Sequence, residues 1–286
     1  MQNLHAEIPR RNTASARPVL LNPAARNENF AVASRLLPRH VAPKVVAFYN
    51  FARAADDCAD DPTASASVRL AALEALESGL LHGHPDNPGA ALRRTLGGSG
   101  AALDAARDLL AAFRRDATGI ACADWSDLMG YCASSAVPVG RFLLIVNDAG
   151  RAAQPPSDAL CAALQILNHV QDMGDDWRLL RRRYLPGDWM AEAGADDADL
   201  AAPTLTPALR RVVQRTLDAS DALLRDAAPL PRRIATRGLR MQAAATIFAA
   251  RRLSARLRAG DPLADRIALS RLDFARAGLQ ALRFAP

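Results

Sequence analysis

Alanine, leucine and arginine recur at helical spacing through almost the whole chain, while alternating β-branched runs and Asn-Gly hairpin signals are scarce. Such residues form helices readily and strands poorly, so the sequence is committed to an all-α fold. Breaks are expected at Pro62, at 83–89 (GHPDNPG), 97–100 (GGSG), 154–158 (QPPSD), 185–188 (LPGD), 201–207 (AAPTLTP), 229–231 (PLP) and 260–262 (GDP). These turn signals separate about eight or nine helices. No segment between them is long or polar enough for a linker, and no repeat is visible. Residues 27–286 are therefore expected to form one helical domain behind a mobile lead-in, residues 1–26.

Composition narrows the functional classes. With 286 residues, 50% of them hydrophobic, the chain can bury a large core. Cys58, Cys122, Cys132 and Cys161 fall at unrelated spacings with no C-x-x-C pair, which argues against a zinc site or a disulfide scaffold and for a reducing, cytoplasmic setting. The first twenty residues lack a continuous apolar segment of signal-peptide length. No run approaches the roughly 18 uninterrupted apolar residues of a spanning helix, so no membrane crossing is expected. A net charge of +6 admits nucleic acid, an anionic membrane surface or an anionic small molecule as partner. Aromatic content of 5% and the absence of a nucleic-acid motif make the first the weakest. The basic amphipathic segment 237–262 could lie peripherally on the inner membrane, although helices of this kind more often pack into their own bundle.

Two acidic stretches stand out against the basic background. In 41–61 (VAPKVVAFYNFARAADDCADD), Val45, Phe48, Tyr49, Ala52 and Ala55 follow the amphipathic rule, and Asp56 continues their stripe. Asp56 and Asp60 are four apart, as are Asp57 and Asp61. More than a hundred residues later, in 165–178 (QILNHVQDMGDDWR), Asn168, Asp172 and Asp176 again repeat every four, with Asp175 beside them. Leu164, Leu167 and Val170 show that this second helix is buried on more than one side.

If the two rows face one another, each like-charged pair repels by roughly 3 kcal/mol at ~6 Å and an effective dielectric near 20. A cation is needed between them. Magnesium suits oxygen ligands, accepts one or two carboxylates and is completed by phosphates. The scattered histidines, His5, His40, His82, His84 and His169, form no competing set, and His169 reads as a packed or capping residue. The expected third partner is a diphosphate. Arg53, three residues before Asp56, and Arg182 with Tyr184, just after the second row, could hold its remaining charge. Taken singly, each is an ordinary surface arginine or core tyrosine.

The stretches 29–62, 125–142 (WSDLMGYCASSAVPVGRF) and 164–186 (LQILNHVQDMGDDWRLLRRRYLP) together resemble the squalene/phytoene synthase family, from about residue 27 to 275. Within it, the phrases ENF-x-VASRLLP and ILNH-x-QD resemble the bacterial hydroxysqualene synthase branch of hopanoid biosynthesis. Phytoene and presqualene diphosphate synthases tend to read N-I-L-R-D where this chain has Asn168 to Asp172, so Gln171 in place of arginine discriminates between them.

The resemblance implies an isoprenoid synthase fold, a helical barrel around a deep apolar cavity with both aspartate motifs at its mouth. It implies that Asp56, Asp57 and Asp60, with Asn168, Asp172 and Asp176, hold Mg2+, with Asp61 and Asp175 as lesser candidates. Asp56, Asp60, Asp172 and Asp176 would carry the catalysis. Arg53, Arg182 and Tyr184 would clamp diphosphate, and Tyr49, Tyr131 and Gln165 would face the cavity. The implied reaction converts presqualene diphosphate and water to hydroxysqualene and diphosphate, with substrate handed over by a presqualene diphosphate synthase. Gly130, Ala133, Ser134 and Ala136 would leave room for a prenyl chain, and Pro138 would bend their helix. Gly119 and Cys122 depart from the family's basic and tyrosine residues. The rival readings are a head-to-head synthase making presqualene diphosphate, dehydrosqualene or phytoene, and a non-catalytic helical protein binding a prenyl lipid.

Overall fold

The computed structural model describes residues 38–98 and 100–285. The lead-in expected over 1–26 and all but the last residue of ENFAVASRLLP lie outside the described residues.

Local chemistry sets the helix starts. Helix α1 (Ala42–Ala59) opens with Pro43 in its first turn, where a missing N–H costs nothing. Ser65 caps α2 (Ala66–His82) and Asn87 caps α3 (Pro88–Thr95), each side chain accepting from a first-turn amide. Helix α4 (Ala101–Ala117) follows, and Asp124 caps α5 (Trp125–Ser135). Helix α6 (Val137–Val146) starts directly after Ala136, so the bend expected at Pro138 is a division into two helices, with the proline in the first turn of the second. The QPPSD break is likewise a helix start, because α7 (Gln154–Asp175) carries both prolines in its first turn. Beyond it lie α8 (Gly187–Ala193), α9 (Pro207–Asp226), the single turn α10 (Leu230–Arg233), α11 (Arg237–Ala259) and α12 (Arg271–Leu282).

Helix α1 packs on α2, α3 and α4, while α7 packs on α5, α6, α9 and α11, so the two acidic helices are joined through α4, α5 and α6. A stacked pair, Phe48 and Phe142 with ring centroids 4.0 Å apart, fastens α1 to α6. Gly140 lets α6 approach α7 closely, since a Cβ there would sit 2.5 Å from Cys161 Sγ. The buried stripe of α1 is Val45, Phe48, Phe51, Ala55 and Ala59. Tyr49 and Ala52 therefore flank the core instead of entering it.

Helices α5 and α6 together, Trp125–Val146, are long and apolar enough by length and composition to cross a bilayer, with a mean hydropathy of 1.4. The sequence reading had found no such stretch. In the structure 44% of its most apolar 18-residue window is buried inside the protein, against α4 and α7.

Candidate active site

Residues from five parts of the chain line one cavity of about 320 Å³. Asp56 and Asp60 come from α1, Asp116 from the end of α4, Tyr131 and Ser135 from α5, and Gln165, Asn168, His169 and Asp172 from α7; Asp176, Arg182 and Tyr184 follow α7. The last three are placed by an irregular chain exit. Helix α7 passes into a π-helical turn, Asp176–Leu180, and Arg181 adopts φ +54°, a left-handed conformation unusual for arginine. Together these reverse the backbone, and the Arg182 amide donates to the Asp176 carbonyl at 3.2 Å. The chain then runs beside residues 120–123 through a parallel bridge between Ala121 and Arg183. Gly119, at φ +87°, supplies the turn that allows this. Cys122 is fully buried there, with its carbonyl accepting from Gly187 N–H and from Arg183 Nη1. The departure noted at these two positions is thus a structural joint under the cavity wall.

Asp116 is the residue the sequence reading missed. It is 7% exposed and accepts from Tyr131 Oη at 2.8 Å and from Tyr184 Oη at 2.9 Å. Arg182, 6% exposed, donates to the Asp116 and Ala59 carbonyls at 3.0 Å and to Asp60 Oδ1 at 2.6 Å. One buried guanidinium therefore ties the first acidic helix, α4 and the Tyr184 segment together. His169 packs, as expected, but within the cavity wall: its ring stacks on Tyr184 with centroids 3.6 Å apart. Its Nε2 lies 3.0 Å from Gln165 Nε2 and its Nδ1 3.9 Å from Asp176 Oδ2. The first is within hydrogen-bond distance, and the second is a longer approach without a hydrogen bond.

Of the residues singled out from sequence, Asp56, Asp60, Asn168, Asp172, Asp176, Tyr131, Gln165, Arg182 and Tyr184 line the cavity. Asp57, Asp61, Asp175, Arg53 and Tyr49 do not. Arg53 pairs with Asp56 at 3.2 Å and Asp57 at 2.7 Å along α1. Asp61 accepts from the Thr63 amide and hydroxyl in the turn after α1. Asp175 pairs with Arg178 at 3.0 Å. Ser135 lines the cavity where Ser134 was expected to give room, while Gly130 and Ala133 face solvent. A second cavity, of about 130 Å³ and lined mainly by apolar residues, lies between α6, α7, α10 and α11. It continues the same helix faces, from Tyr131 and Ser135 to Val139 and Leu143, and from Gln165 back to Leu164 and Cys161.

Burial and like charge both act on the carboxyls of the cavity. Burial, and then the neighbouring Asp60, push Asp56 up to about 6, against the pull of Arg53. Burial also raises Asp172, with Asp176 adding to the effect and Arg266 opposing it, and raises Asp116 against Arg182 and the two tyrosines. A raised carboxyl binds its proton more tightly folded than unfolded, so its contribution to stability is greatest in acid and is lost as pH climbs through the folded value. All three groups act in that direction. Metal-free protein is expected to melt at a lower temperature at pH 7 than at pH 5, and magnesium with diphosphate should restore the loss. A thermal denaturation series rising across this window would contradict the assignment.

The donors available to a metal are carboxylate and amide oxygens, which suit magnesium. Among the described residues, no three histidine, cysteine or acidic side chains form a ready-made cage.

A profile of the family described as squalene/phytoene synthase matches residues 24–273. The hydroxysqualene synthase of Rhodopseudomonas palustris is 40% identical over 259 residues, covering 90% of this chain and 88% of that protein. The hydroxysqualene synthase of Zymomonas mobilis is 38% identical, covering 91% and 89%. Among solved structures, squalene synthase HpnC of Alicyclobacillus acidocaldarius superposes with a TM-score of 0.69 at 30% identity, over 80% of this chain and 87% of its own. An all-α isoprenoid synthase fold, carboxylates from two distant helices around one cavity, and matches spanning most of the chain agree: the protein belongs to the squalene/phytoene synthase family.

Proposed function

We propose that the chain is a hydroxysqualene synthase, converting presqualene diphosphate and water to hydroxysqualene and diphosphate. One observation carries the reading: Asp56 and Asp60 share a single cavity with Asn168, Asp172 and Asp176, beside a buried arginine and two tyrosines. The relatives named for this activity support it.

Asp56, Asp60, Asn168, Asp172 and Asp176 would hold Mg2+, which when bound supplies positive charge to the diphosphate oxygens. Arg182 is fixed on three sides and presents charge to the leaving group without reorganising. The carbon–oxygen bond breaks with its electron pair leaving on diphosphate. The carbocation rearranges and opens its ring, and water adds to it and loses a proton. Tyr131, Tyr184 and His169, which line the cavity as a packed aromatic group, would exclude solvent until that step. The apolar cavity beyond Ser135 and Gln165 takes the prenyl chains. Gln171, the position that separates the branches, donates to the Ile267 carbonyl, so it anchors segment 261–270 against α7 and leaves diphosphate binding to other residues. Four free cysteines accord with a reducing compartment, where the substrate would come from a presqualene diphosphate synthase.

Product analysis tests the reading. Purified protein with magnesium and presqualene diphosphate is expected to yield hydroxysqualene, and farnesyl diphosphate alone to yield nothing. Consumption of farnesyl diphosphate would replace this assignment with that of a head-to-head synthase.

A further inference from the structure

Helix α12 is attached to the bundle in an unusual way. It lies on α11 and buries only Asp273, Ala277 and Ala281. Asp273 is 1% exposed, closes a capping box with Ser270 and is held by Arg252 at 3.2 Å and Arg256 at 2.6 Å. The large apolar side chains of α12 point the other way. Among the described residues six large hydrophobics are exposed, and four of them, Leu272, Phe274, Leu279 and Leu282, sit on this one short helix. Leu272, Leu279 and Leu282 form a stripe opposite the buried face, because positions 272, 275, 279 and 282 repeat at helical spacing. A soluble surface helix normally shows the reverse arrangement.

Charge says what the stripe fits. Arg271, Arg276 and Arg283 border it, and the helix's one acid is the buried Asp273. At its C-terminal end a groove of about 600 Å³ is lined by Arg232, Arg240, Gln280, Arg283 and Phe284, with no carboxylate. From Ala227 to Ala285 the chain carries twelve arginines against three aspartates, of which only Asp265 is exposed. The basic segment 237–262, for which the sequence favoured packing into the bundle over lying on a bilayer, does pack into the core: Leu239, Ile247, Leu253 and Leu257 are all buried.

We infer that α12 is the surface by which this protein sits on an anionic phospholipid bilayer, its leucines at the acyl boundary and its arginines on headgroup phosphates. A leucine stripe bordered by arginine is the pattern of an interfacial helix. A second copy docking symmetrically would set the same arginines against each other, and a face this narrow offers less than the roughly 800 Å² per partner of a stable dimer. The inference stands apart from the reaction proposed above.

Flotation of the full-length protein with lipid vesicles tests it without reference to catalysis. Vesicles mixing phosphatidylglycerol with phosphatidylcholine are expected to carry the protein upward, and phosphatidylcholine alone to leave it behind. Raising salt should weaken the association, since exposed charges are screened. Leu279→Gln with Leu282→Gln, and separately Arg276→Gln with Arg283→Gln, should each lower the bound fraction by roughly tenfold, while thermal melting stays at the wild-type value. All four side chains are exposed, so neither pair is expected to disturb folding. Equal flotation with both lipids, or wild-type binding by the leucine pair, overturns the inference. So does a dimer seen by analytical ultracentrifugation that the leucine pair dissociates, which would assign the face to a second copy.

Discussion

Asp172→Asn is expected to abolish diphosphate release while leaving the metal-free protein at least as stable as wild type, and Asp56→Asn to do the same. Both outcomes follow from one fact. Each carboxyl lies in the shared cavity and is pushed above the ordinary aspartate range by burial and by the acid one turn away. In the metal-free protein that charge is a liability, so asparagine relieves both desolvation and repulsion. In the reaction proposed above, the same charge would hold the metal against a departing diphosphate. Turnover should fall by on the order of 10³-fold, in keeping with the loss of one preorganised electrostatic contact to the transition state. Phosphate counted after pyrophosphatase treatment measures it.

The neighbouring acids provide the contrast. Asp57 and Asp175 belong to the same sequence motifs, yet their side chains are more than half exposed and paired with arginines on their own helices. Surface pairs of this kind contribute little, so Asp57→Asn and Asp175→Asn should keep activity within a few-fold of wild type. Turnover by Asp172→Asn within tenfold of wild type, or loss of activity in all four variants alike, would remove the basis for the proposed site.

The acidic rows were legible in the sequence because they obey helical spacing. Asp56 continues the apolar stripe of α1, and Asn168, Asp172 and Asp176 share one side of α7, so distant segments advertised a common cavity before any coordinates. Helix content was legible for the same reason. Less visible was which member of each Asp-Asp pair turns inward, since a rotation of one residue around the helix separates Asp56 from Asp57. The π-helical turn at Asp176–Leu180 was hidden too, because nothing in DWRLL encodes an extra residue per turn. The division at Ala136 was read as a kink, since Pro138 permits either outcome. The exposed leucines of α12 could not be inferred, as an amphipathic pattern does not say which face meets the bundle.

Asp116 was missed although the signal that found Asp56 was present, since Leu109, Ala112 and Asp116 continue one buried stripe of α4. After two arginines it resembled a solvated charge. Its replacement should have the largest effect on stability of any change at the site. Asp116→Ala removes the acceptor that the hydroxyls of Tyr131 and Tyr184 share and leaves them to each other, so one donor goes unmet among side chains at most 6% exposed. Each orphaned buried group costs about 1–3 kcal/mol. A total near 2–4 kcal/mol corresponds to a fall in melting temperature of roughly 3–7 °C for a chain of this size. Asp116→Asn keeps the shape and one acceptor, so it should recover about half of that fall. Activity should not recover with it: both variants remove the negative charge beside Arg182, leaving Asp60 as its charged partner while the Ala59 and residue-116 carbonyls stay in place, and both free the tyrosines to turn. Turnover is expected to drop on the order of 10²-fold in each. An alanine variant that melts like wild type would show that the two tyrosines do not depend on Asp116. An asparagine variant with full activity would show that its charge is dispensable to the site.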